Sequence, residues 1–250
     1  MKERHLEILN LINEKNRVSV QELSSNLNLS MVTIRKDLEE LEAQGLLKRQ
    51  HGYATKSSPD AINSRMSFQY LEKKKIAQKA VSLVEPMETI MIESGSTCAL
   101  FALELASVND VTIITNSAYI ARYLSSVPTA KVILLGGDYD TIAEVTTGPV
   151  TELCAQEYYV DKIFVGIDGY TEESGFTNLN HTRCNTVRSL AKRAGKVIVL
   201  TPSEKFGKRS VAKMFSSEEV YSVVTDSNLP NEYRNILKKH NIRLELAEID

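Results

Sequence analysis

The first 45 residues carry the apolar spacing of three short helices. The apolar positions over residues 4–12 share one broad helical face. Ser19 lies three residues before Glu22, which predicts a capping box at the start of a second helix. Ser30 can cap a third helix over residues 31–44. The inward positions of this third helix repeat at i, i+4 and i+7, and they are Ile34, Leu38 and Leu41.

A basic hairpin is predicted directly after the third helix, which Gly45 ends. Two short strands, one starting at Leu46 and one at Tyr53, are joined by a basic turn over residues 48–52. Three helices followed by such a hairpin predict a winged helix-turn-helix, in which the helix after the turn enters the DNA major groove.

The third helix has suitable chemistry for DNA only at its N-terminal end. Its N–H groups and dipole favour phosphate there, and Thr33 and Lys36 point outward with Arg35 on the flank. One turn later Glu39 and Glu40 point outward and repel a phosphate backbone. We expect the helix to enter the groove at residues 30–36, while the wing contacts the adjacent backbone. The candidate DNA contacts are Ser30, Met31, Thr33, Arg35, Lys36, Lys48, Arg49 and His51.

The alternative is that these charges only form ion pairs on the helix surface. Arg35 with Glu39, and Lys36 with Glu40, have the i, i+4 spacing of surface pairs worth about 0.2 to 0.5 kcal/mol each. The formal net charge is −2 and the pI is about 6.2. A nucleic-acid partner must therefore be held by a local basic surface and not by bulk charge.

Three motifs in this segment carry a resemblance to a known family. They are Thr33-Ile34-Arg35-Lys36-Asp37-Leu38, Leu41-Glu42 followed by Gly45, and Arg49-Gln50-His51-Gly52. Residues 3–55, which contain them, resemble the N-terminal domain of the DeoR family of bacterial transcriptional regulators. The resemblance implies a winged helix-turn-helix that binds a double-stranded DNA operator. The family usually has a second glycine after His-Gly, where this chain has Tyr53.

An exposed linker is predicted at residues 56–60, because Lys-Ser-Ser-Pro-Asp combines small, polar and proline residues. We therefore expect one domain over residues 3–58 and a second over residues 62–250. A helical pattern returns over residues 67–84, where Lys73, Lys74 and Lys75 fit a solvated face.

The larger domain alternates short apolar runs with segments of helix length. The apolar runs are 89–92, 111–115, 131–135, 162–166, 197–200 and 221–225. This alternation predicts an α/β domain with a largely parallel sheet.

Ligands of such sheets bind outside the carboxyl ends of the strands, so the loops that follow the apolar runs are the candidate site. The loop 93–97 opens directly into an apolar helix, which places backbone N–H groups and hydroxyls where phosphate binds. Each loop by itself also fits a simple turn or cap, and only their convergence at one sheet edge favours a site. The candidate contacts are Ser94, Gly95, Ser96, Thr97, Asn116, Ser117, Gly136, Gly137, Asp168, Gly169 and Lys205.

These loops carry a second resemblance. The matching residues include Glu72-Lys73, Ser94 to Thr97, Thr115-Asn116-Ser117, Leu135-Gly136-Gly137, Asp161, Phe164, Gly166, Gly169, Gly175, Lys205-Phe206 and Thr225-Asp226. Residues 65–226 thereby resemble the C-terminal sugar-binding domain of the DeoR family. That domain is similar to the fold of ribose-5-phosphate isomerase and glucosamine-6-phosphate deaminase. The resemblance implies a phosphorylated sugar or related metabolite held by Ser94 to Thr97, Asn116, Gly136, Gly137 and Lys205.

Three positions depart from the family pattern. Glu93 stands where aspartate is commoner, Pro202 replaces an aspartate, and Thr182-Arg183-Cys184 replaces an acid followed by alanine. Arg183 therefore joins the candidate ligand contacts and predicts a more cationic pocket. The alternative is that His181 and Arg183 are exposed loop residues.

Composition limits the remaining possibilities. No apolar run reaches the roughly 18 to 20 residues of a spanning helix and the start lacks a signal peptide's apolar core, so we expect a cytoplasmic protein. The three cysteines are far apart and lack CxxC spacing, so we expect reduced thiols and neither a metal nor a cofactor.

The resulting interpretation is a ligand-responsive transcription factor, most often a repressor in this family, that controls a carbohydrate operon. We expect a homo-oligomer, a dimer or a tetramer, because one winged domain buries too little surface for specific affinity. One alternative is a sugar-phosphate isomerase or deaminase with an added DNA-binding domain, for which Asp168 and Glu93 are the candidate carboxylates. Another is a structural DNA-binding protein without an effector.

Overall fold

The structure is a computed structural model that describes residues 2–43, 46–56, 61–107, 110–125, 127 and 129–249. Contacts divide the chain into two compact units, Met1–Tyr70 and Leu71–Asp250, here called the N-terminal and C-terminal units. The predicted helix stop at Gly45 and linker residues 57–60 lie outside the described residues.

The N-terminal unit is a helix-turn-helix with a three-stranded wing. Its elements are α1 (Glu3–Lys15), β1 (Arg17–Ser19), α2 (Val20–Leu27), α3 (Met31–Ala43), β2 (Leu47–Gln50), β3 (Tyr53–Lys56) and α4 (Ile62–Ser67). The antiparallel strand order is β1-β3-β2. Strands β2 and β3 were predicted from the sequence, whereas β1, which pairs with β3 over three residues, was not.

Polar caps delimit the helices of this unit. Asn16 ends α1 in the left-handed region with φ 63°, and Ser19 Oγ accepts the N–H of Glu22 at 3.0 Å to begin α2. The Glu22 carboxylate also accepts a hydrogen bond from Lys15. The apolar faces enclose one core, which consists of Ile8, Leu9, Ile12, Val18, Leu23, Ile34, Leu38, Leu41, Leu47 and Ala54.

From Tyr70 onward the chain forms an α/β fold. The helices are α5 (Tyr70–Val81), α6 (Ser96–Ala106), α7 (Ala118–Leu124), α8 (Pro149–Gln156), α9 (His181–Ala191) and α10 (Asn231–Lys239). The strands are β4 (Thr89–Ile92), β5 (Thr112–Thr115), β6 (Lys131–Leu134), β7 (Asp138–Asp140), β8 (Val145–Thr147), β9 (Val160–Val165), β10 (Gly169–Thr171), β11 (Gly175–Asn178), β12 (Ala194–Leu200), β13 (Ala212–Phe215), β14 (Ser222–Asp226) and β15 (Arg243–Ala247).

Seven strands form a parallel sheet in the order β15-β14-β12-β9-β4-β5-β6. All six predicted strands are present, and the α/β prediction is confirmed. Edge strand β15, the β7–β8 hairpin and the small β10-β11-β13 sheet were not predicted. The order places the carboxyl ends of β4 and β9 side by side where chain progression along the sheet reverses, the usual ligand position in open parallel sheets.

Two predictions about the start of this region were wrong. The single helix over 67–84 is broken between α4 and α5, where Gln69 has a φ of 51°. Lys73 does not lie on a solvated face, since only 5% of the residue is exposed. Its position beside buried Ile76 and Ala77 places it on the inner face of α5. The three cysteines are free thiols; Cys98 and Cys184 are buried and Cys154 is partly buried.

Candidate nucleic-acid interface and ligand site

The first turn of α3 is capped and exposed. Ser30 Oγ accepts the N–H of Thr33 at 3.1 Å, and the two hydroxyl oxygens lie 2.9 Å apart. Arg35 and Lys36 are exposed one turn further on, as are Met31 and Val32 before them. The chemistry expected for a groove-entering helix end is therefore present at the surface.

Arg35 and Lys36 are exposed cations at this end of α3. Within the described part of the chain neither side chain makes a hydrogen bond or ion pair. Glu39 instead pairs with Arg49 at 3.0 Å, and Glu40 pairs with Lys2 at 2.6 Å. The structure thus contradicts the explanation in which these two cations serve only as i, i+4 partners of Glu39 and Glu40.

The wing turns at His51 and Gly52, whose φ values of 47° and 82° suit a tight two-residue hairpin. Lys48 and His51 are exposed. Tyr53, the departure from the family pattern, carries the Arg17 guanidinium 3.8 Å above its ring centroid. Arg17 was not among the predicted contacts, because β1 was not predicted.

Arg49, which was predicted to contact the DNA backbone, is engaged by carboxylates of α3. Its guanidinium lies 3.0 Å from the Glu39 carboxylate, and its backbone N–H donates to Glu42 Oε1 at 2.8 Å. Arg49 therefore joins the wing to α3, and its charge is partly offset by these carboxylates. A groove of about 550 Å³ between α3 and the wing brings Arg35, Arg49 and His51 together.

A buried acid connects α3 to α1. Asp37 is fully buried and accepts hydrogen bonds from Arg4 Nε at 2.7 Å, Arg4 Nη2 at 2.8 Å and His5 Nε2 at 3.0 Å. Burial would raise the pKa of Asp37, but hydrogen bonds from Arg4 and His5 outweigh it and hold the pKa below its usual value. This role of Asp37 was not predicted, although an acid beside the apolar stripe of a helix is a signal for a buried ion pair.

This cluster has the spacing of a metal site but not its chemistry. His5, Asp37 and Glu40 lie close enough to share an ion. However, Arg4 and Lys2 occupy the carboxylate oxygens that an ion needs. The cluster is an ion-pair network.

The carboxyl end of β4 is organised by Glu93. This buried carboxylate accepts the N–H of Gly95 at 2.8 Å, the N–H of Gly166 at 3.1 Å and the hydroxyl of Ser94 at 3.0 Å. It thereby links the loop after β4 to the loop after β9. The N–H of Gly95 is therefore not free for a phosphate, contrary to the expectation for this loop.

Donors do remain at the start of α6. No side chain caps this helix at Gly95, and within the described residues the N–H groups of Ser96 and Thr97 have no acceptor. Ser94 and Thr97 are buried and Ser96 is partly exposed. The helix start supplies positive electrostatic potential together with the hydroxyls of Ser96 and Thr97.

Asn116, at the end of the neighbouring β5, has an unused buried oxygen. Its Nδ2 donates to the carbonyl of Thr146 at 2.9 Å, while its buried Oδ1 has no partner within the described residues. Ser117 is occupied as the N-cap of α7, since its Oγ accepts the N–H of Ile120 at 3.2 Å. Asn116 is therefore the stronger ligand candidate of the two.

The glycine pair after β6 packs closely on α8. The Gly136 carbonyl accepts the hydroxyl of Thr151 at 2.7 Å, and Gly137 has a φ of 146°. A Cβ at Gly137 would overlap Thr151 Oγ1 and approach the Thr147 carbonyl oxygen to 2.8 Å. Gly137 is thus required by packing whether or not a ligand binds.

The remaining candidates are largely engaged within the protein. Asp168 accepts the N–H of Leu179 at 2.9 Å, and Lys205 lies 3.3 Å from Glu204. The Gly169 carbonyl accepts the hydroxyl of Thr177 at 3.0 Å. Asp168 and Gly169 therefore shape the loop after β9, whereas the Lys205 side chain keeps a quarter of its surface exposed.

Arg183 is neither an exposed loop residue nor an uncompensated charge. It lies buried in the first turn of α9, and its Nη2 donates to Asp140 Oδ2 at 3.0 Å. The backbone N–H groups of Ala143 and Ile142, together with Arg183, hold the pKa of Asp140 below its usual value despite partial burial. The predicted increase in positive charge is therefore offset by Asp140. His181 is exposed, which agrees with the alternative for this residue but not for Arg183.

Two domain matches account for most of the chain. Residues 4–59 match the DeoR-like helix-turn-helix domain, and residues 68–227 match the DeoR C terminal sensor domain. The chain belongs to the DeoR family. The N-terminal unit is thus a DeoR-type DNA-binding domain, and the parallel-sheet unit is a DeoR sensor domain.

Other members of the DeoR family match this chain along nearly its whole length. The HTH-type transcriptional regulator GolR of Listeria innocua is 31% identical, and the match covers 98% of each chain. The glycerol-3-phosphate regulon repressor of Escherichia coli K12 is 29% identical, again over 98% of each chain.

A solved structure is similar over part of the chain. Ribose 5-phosphate isomerase A of Methanocaldococcus jannaschii is 23% identical, with a TM-score of 0.40, over 54% of this chain and 53% of that one. Across the described ranges, every helix is too short or too polar to cross a membrane.

Proposed function

We propose that this protein is a DNA-binding transcriptional repressor of a carbohydrate operon and that a phosphorylated sugar or related metabolite controls it. The observation that carries the DNA-reading part is the exposed pair Arg35 and Lys36, which have no partner among the described residues at the groove-entering end of α3. Lys48 and His51 on the wing, with Ser30, Met31 and Thr33, complete the proposed surface. Arg49 is assigned to positioning the wing.

The sensing part rests on unused polar groups at the carboxyl ends of β4 and β5. The N–H groups of Ser96 and Thr97 suit phosphate oxygens, and Asn116 Oδ1, which has no partner among the described residues, suits a sugar hydroxyl. We assign Lys205, which follows β12 of the same sheet, as the cation of this site. A relative that is a glycerol-3-phosphate regulon repressor is consistent with control by a phosphorylated metabolite.

Catalysis is a weaker assignment for the same edge. A general base must have a free lone pair near the proton that it removes. Glu93 already accepts three hydrogen bonds, whereas Asp168 accepts one, from the N–H of Leu179, on Oδ2. Glu93 is therefore a poor general base, and no described residue supplies Asp168 with the acid partner that the reaction also needs. We infer that these carboxylates hold loops together in a sensor that is not an enzyme.

The DNA-reading proposal is tested on an operator selected in vitro with the full-length protein. Arg35→Ala and Lys36→Ala should each weaken operator binding, measured by fluorescence anisotropy across a salt series. A base contact should cost about 1–3 kcal/mol at one base position, and a phosphate contact should lower the salt slope by about one.

Lys131→Ala removes an equal charge from an exposed site in the C-terminal unit and serves as the control. It should bind the operator like the wild type. Wild-type affinity and salt slope in both Arg35→Ala and Lys36→Ala would refute the proposed placement of α3.

The sensing proposal is tested by thermal shift against a panel of phosphorylated sugars, polyols and sugar acids. A ligand at 100 times its Kd should add about 2.7 kcal/mol to stability. Lys205→Ala and Asn116→Ala should reduce that gain. Lys208→Ala is a matched control, because Lys208 is exposed and lies 3.7 Å from the same Glu204. A full thermal response in Lys205→Ala would show that Lys205 does not contact the ligand.

A further inference from the structure

The start of α3 exposes an apolar side chain, Val32, that the described residues leave largely uncovered. Val32 is 73% exposed, the largest exposed fraction among the large apolar residues described in the N-terminal unit. Tyr53, also exposed, at least carries the Arg17 guanidinium on its ring. Valine is also a poorer helix former than the polar residues normally found at such positions. Helix propensity therefore does not favour a valine at this position.

Val32 lies on the outermost line of the helix. At about 100° per residue Val32 points almost opposite to buried Ile34. It lies one turn before Lys36 on the same helix face. Met31, by contrast, projects toward the flank near the core side and is only 47% exposed. If the first turn of α3 enters the major groove, Val32 is the side chain that faces the floor of the groove.

The apolar group on the floor of the major groove is the C5 methyl of thymine. Hydrogen-bonding base edges would lose water against the valine methyls and gain no partner. We propose that Val32 recognises a thymine methyl in each operator half-site and so determines specificity at that base pair. This inference rests on the proposed DNA-reading function and adds one base and one chemical group to it.

The test exchanges single thymines for deoxyuridine, which removes only the C5 methyl. The full-length protein is titrated with the selected operator and with variants that carry one deoxyuridine at each thymine of one half-site. At one position the exchange should weaken wild-type binding about fourfold, the ratio that corresponds to about 0.8 kcal/mol for one buried methyl.

In Val32→Ala the same exchange should weaken operator binding less than about twofold at that position, because the valine methyls that contact the thymine methyl are absent. Val32→Ala should itself bind the thymine operator about four- to tenfold more weakly, whereas Val32→Thr, which keeps one γ-methyl, should retain part of the discrimination. Val211→Ala is the matched control, since Val211 is 77% exposed in the C-terminal unit. It should preserve the full deoxyuridine effect.

Two results would overturn the inference while leaving the DNA-reading function intact. One is an operator in which no deoxyuridine weakens wild-type binding. The other is an equal deoxyuridine penalty in wild type and Val32→Ala. Failure to select any sequence would overturn the DNA-reading function and this inference with it. Loss of circular dichroism signal is not expected, because Ala is compatible with an exposed helical position.

Discussion

Replacing Asp37 with alanine should loosen the whole DNA-binding unit. The carboxylate accepts three hydrogen bonds from Arg4 and His5, and its removal leaves the buried His5 ring without this partner. Hydrogen bonds to charged groups contribute about 1.5–3 kcal/mol each. Because the Arg4 side chain is 41% exposed and can rehydrate, its two bonds count for less. We expect a net loss of about 2–3 kcal/mol for Asp37→Ala.

Hydrogen exchange followed by mass spectrometry on the full-length protein measures this loss where it occurs. Amides of α1 and α3 that exchange through opening of the N-terminal unit should exchange about 30- to 150-fold faster in Asp37→Ala. Amides of β9 and β12 should be unchanged, because all three hydrogen bonds lie within the N-terminal unit. These strands provide a control in the same sample.

Glu39→Ala provides the control variant on the same helix. Its side chain is 62% exposed and forms a single ion pair with Arg49. Such pairs contribute little, so exchange should accelerate less than about threefold. An Asp37→Ala protein that exchanges like Glu39→Ala would refute the claim that the buried cluster holds α3 against α1.

The pH dependence has a definite sign. Because the pKa of Asp37 is lowered in the folded state, its contribution is present above its usual value of 3.8 and is lost as the pH falls through the folded value. The difference in exchange between wild type and Asp37→Ala should therefore shrink below about pH 4.

Three further outcomes are expected in the C-terminal unit and the assembly. Gly137→Ala should destabilise the protein by about 2–4 kcal/mol in thermal unfolding, from backbone strain and overlap with Thr151, whereas Gly136→Ala, with open space around its Cβ, should be nearly neutral. The pKa of Asp140 is lowered chiefly by backbone N–H groups, so its carboxylate should stabilise the β7–β8 hairpin above about pH 4 and lose this effect below it. Amide exchange of the hairpin should therefore accelerate below about pH 4, and this pH dependence should be absent in Asp140→Asn. Full-length protein should sediment as a dimer or tetramer at micromolar concentration, and a monomer would contradict the expected homo-oligomer.

Local patterns predicted much of the fold, because each apolar run or cap acts within a few residues. All six predicted sheet strands formed, and Ser19 and Ser30 cap the helices predicted from them. Strand β15 was missed because Arg243 and Glu245 interrupt its apolar character at the sheet edge. Strand β1 was missed because its three residues are defined by pairing with the distant β3.

The site was less predictable, because its partners are distant in sequence. The ion pair of Arg183 with Asp140 spans 43 residues, and the hydrogen bond from the Gly166 N–H to Glu93 spans 73. The position of Glu93 was noted, but not that its carboxylate would occupy the N–H of Gly95. Charge compensation of this kind depends on the packing of the sheet, which residue spacing does not contain.

The central claim is that one chain couples DNA reading to metabolite sensing. The most direct measurement is operator affinity of the full-length protein with and without the phosphorylated sugar that gives the largest thermal shift. We predict a change of about 5- to 150-fold in operator affinity, and an equal change in sugar affinity when operator is present. An operator affinity that no stabilising phosphorylated metabolite alters would contradict the claim.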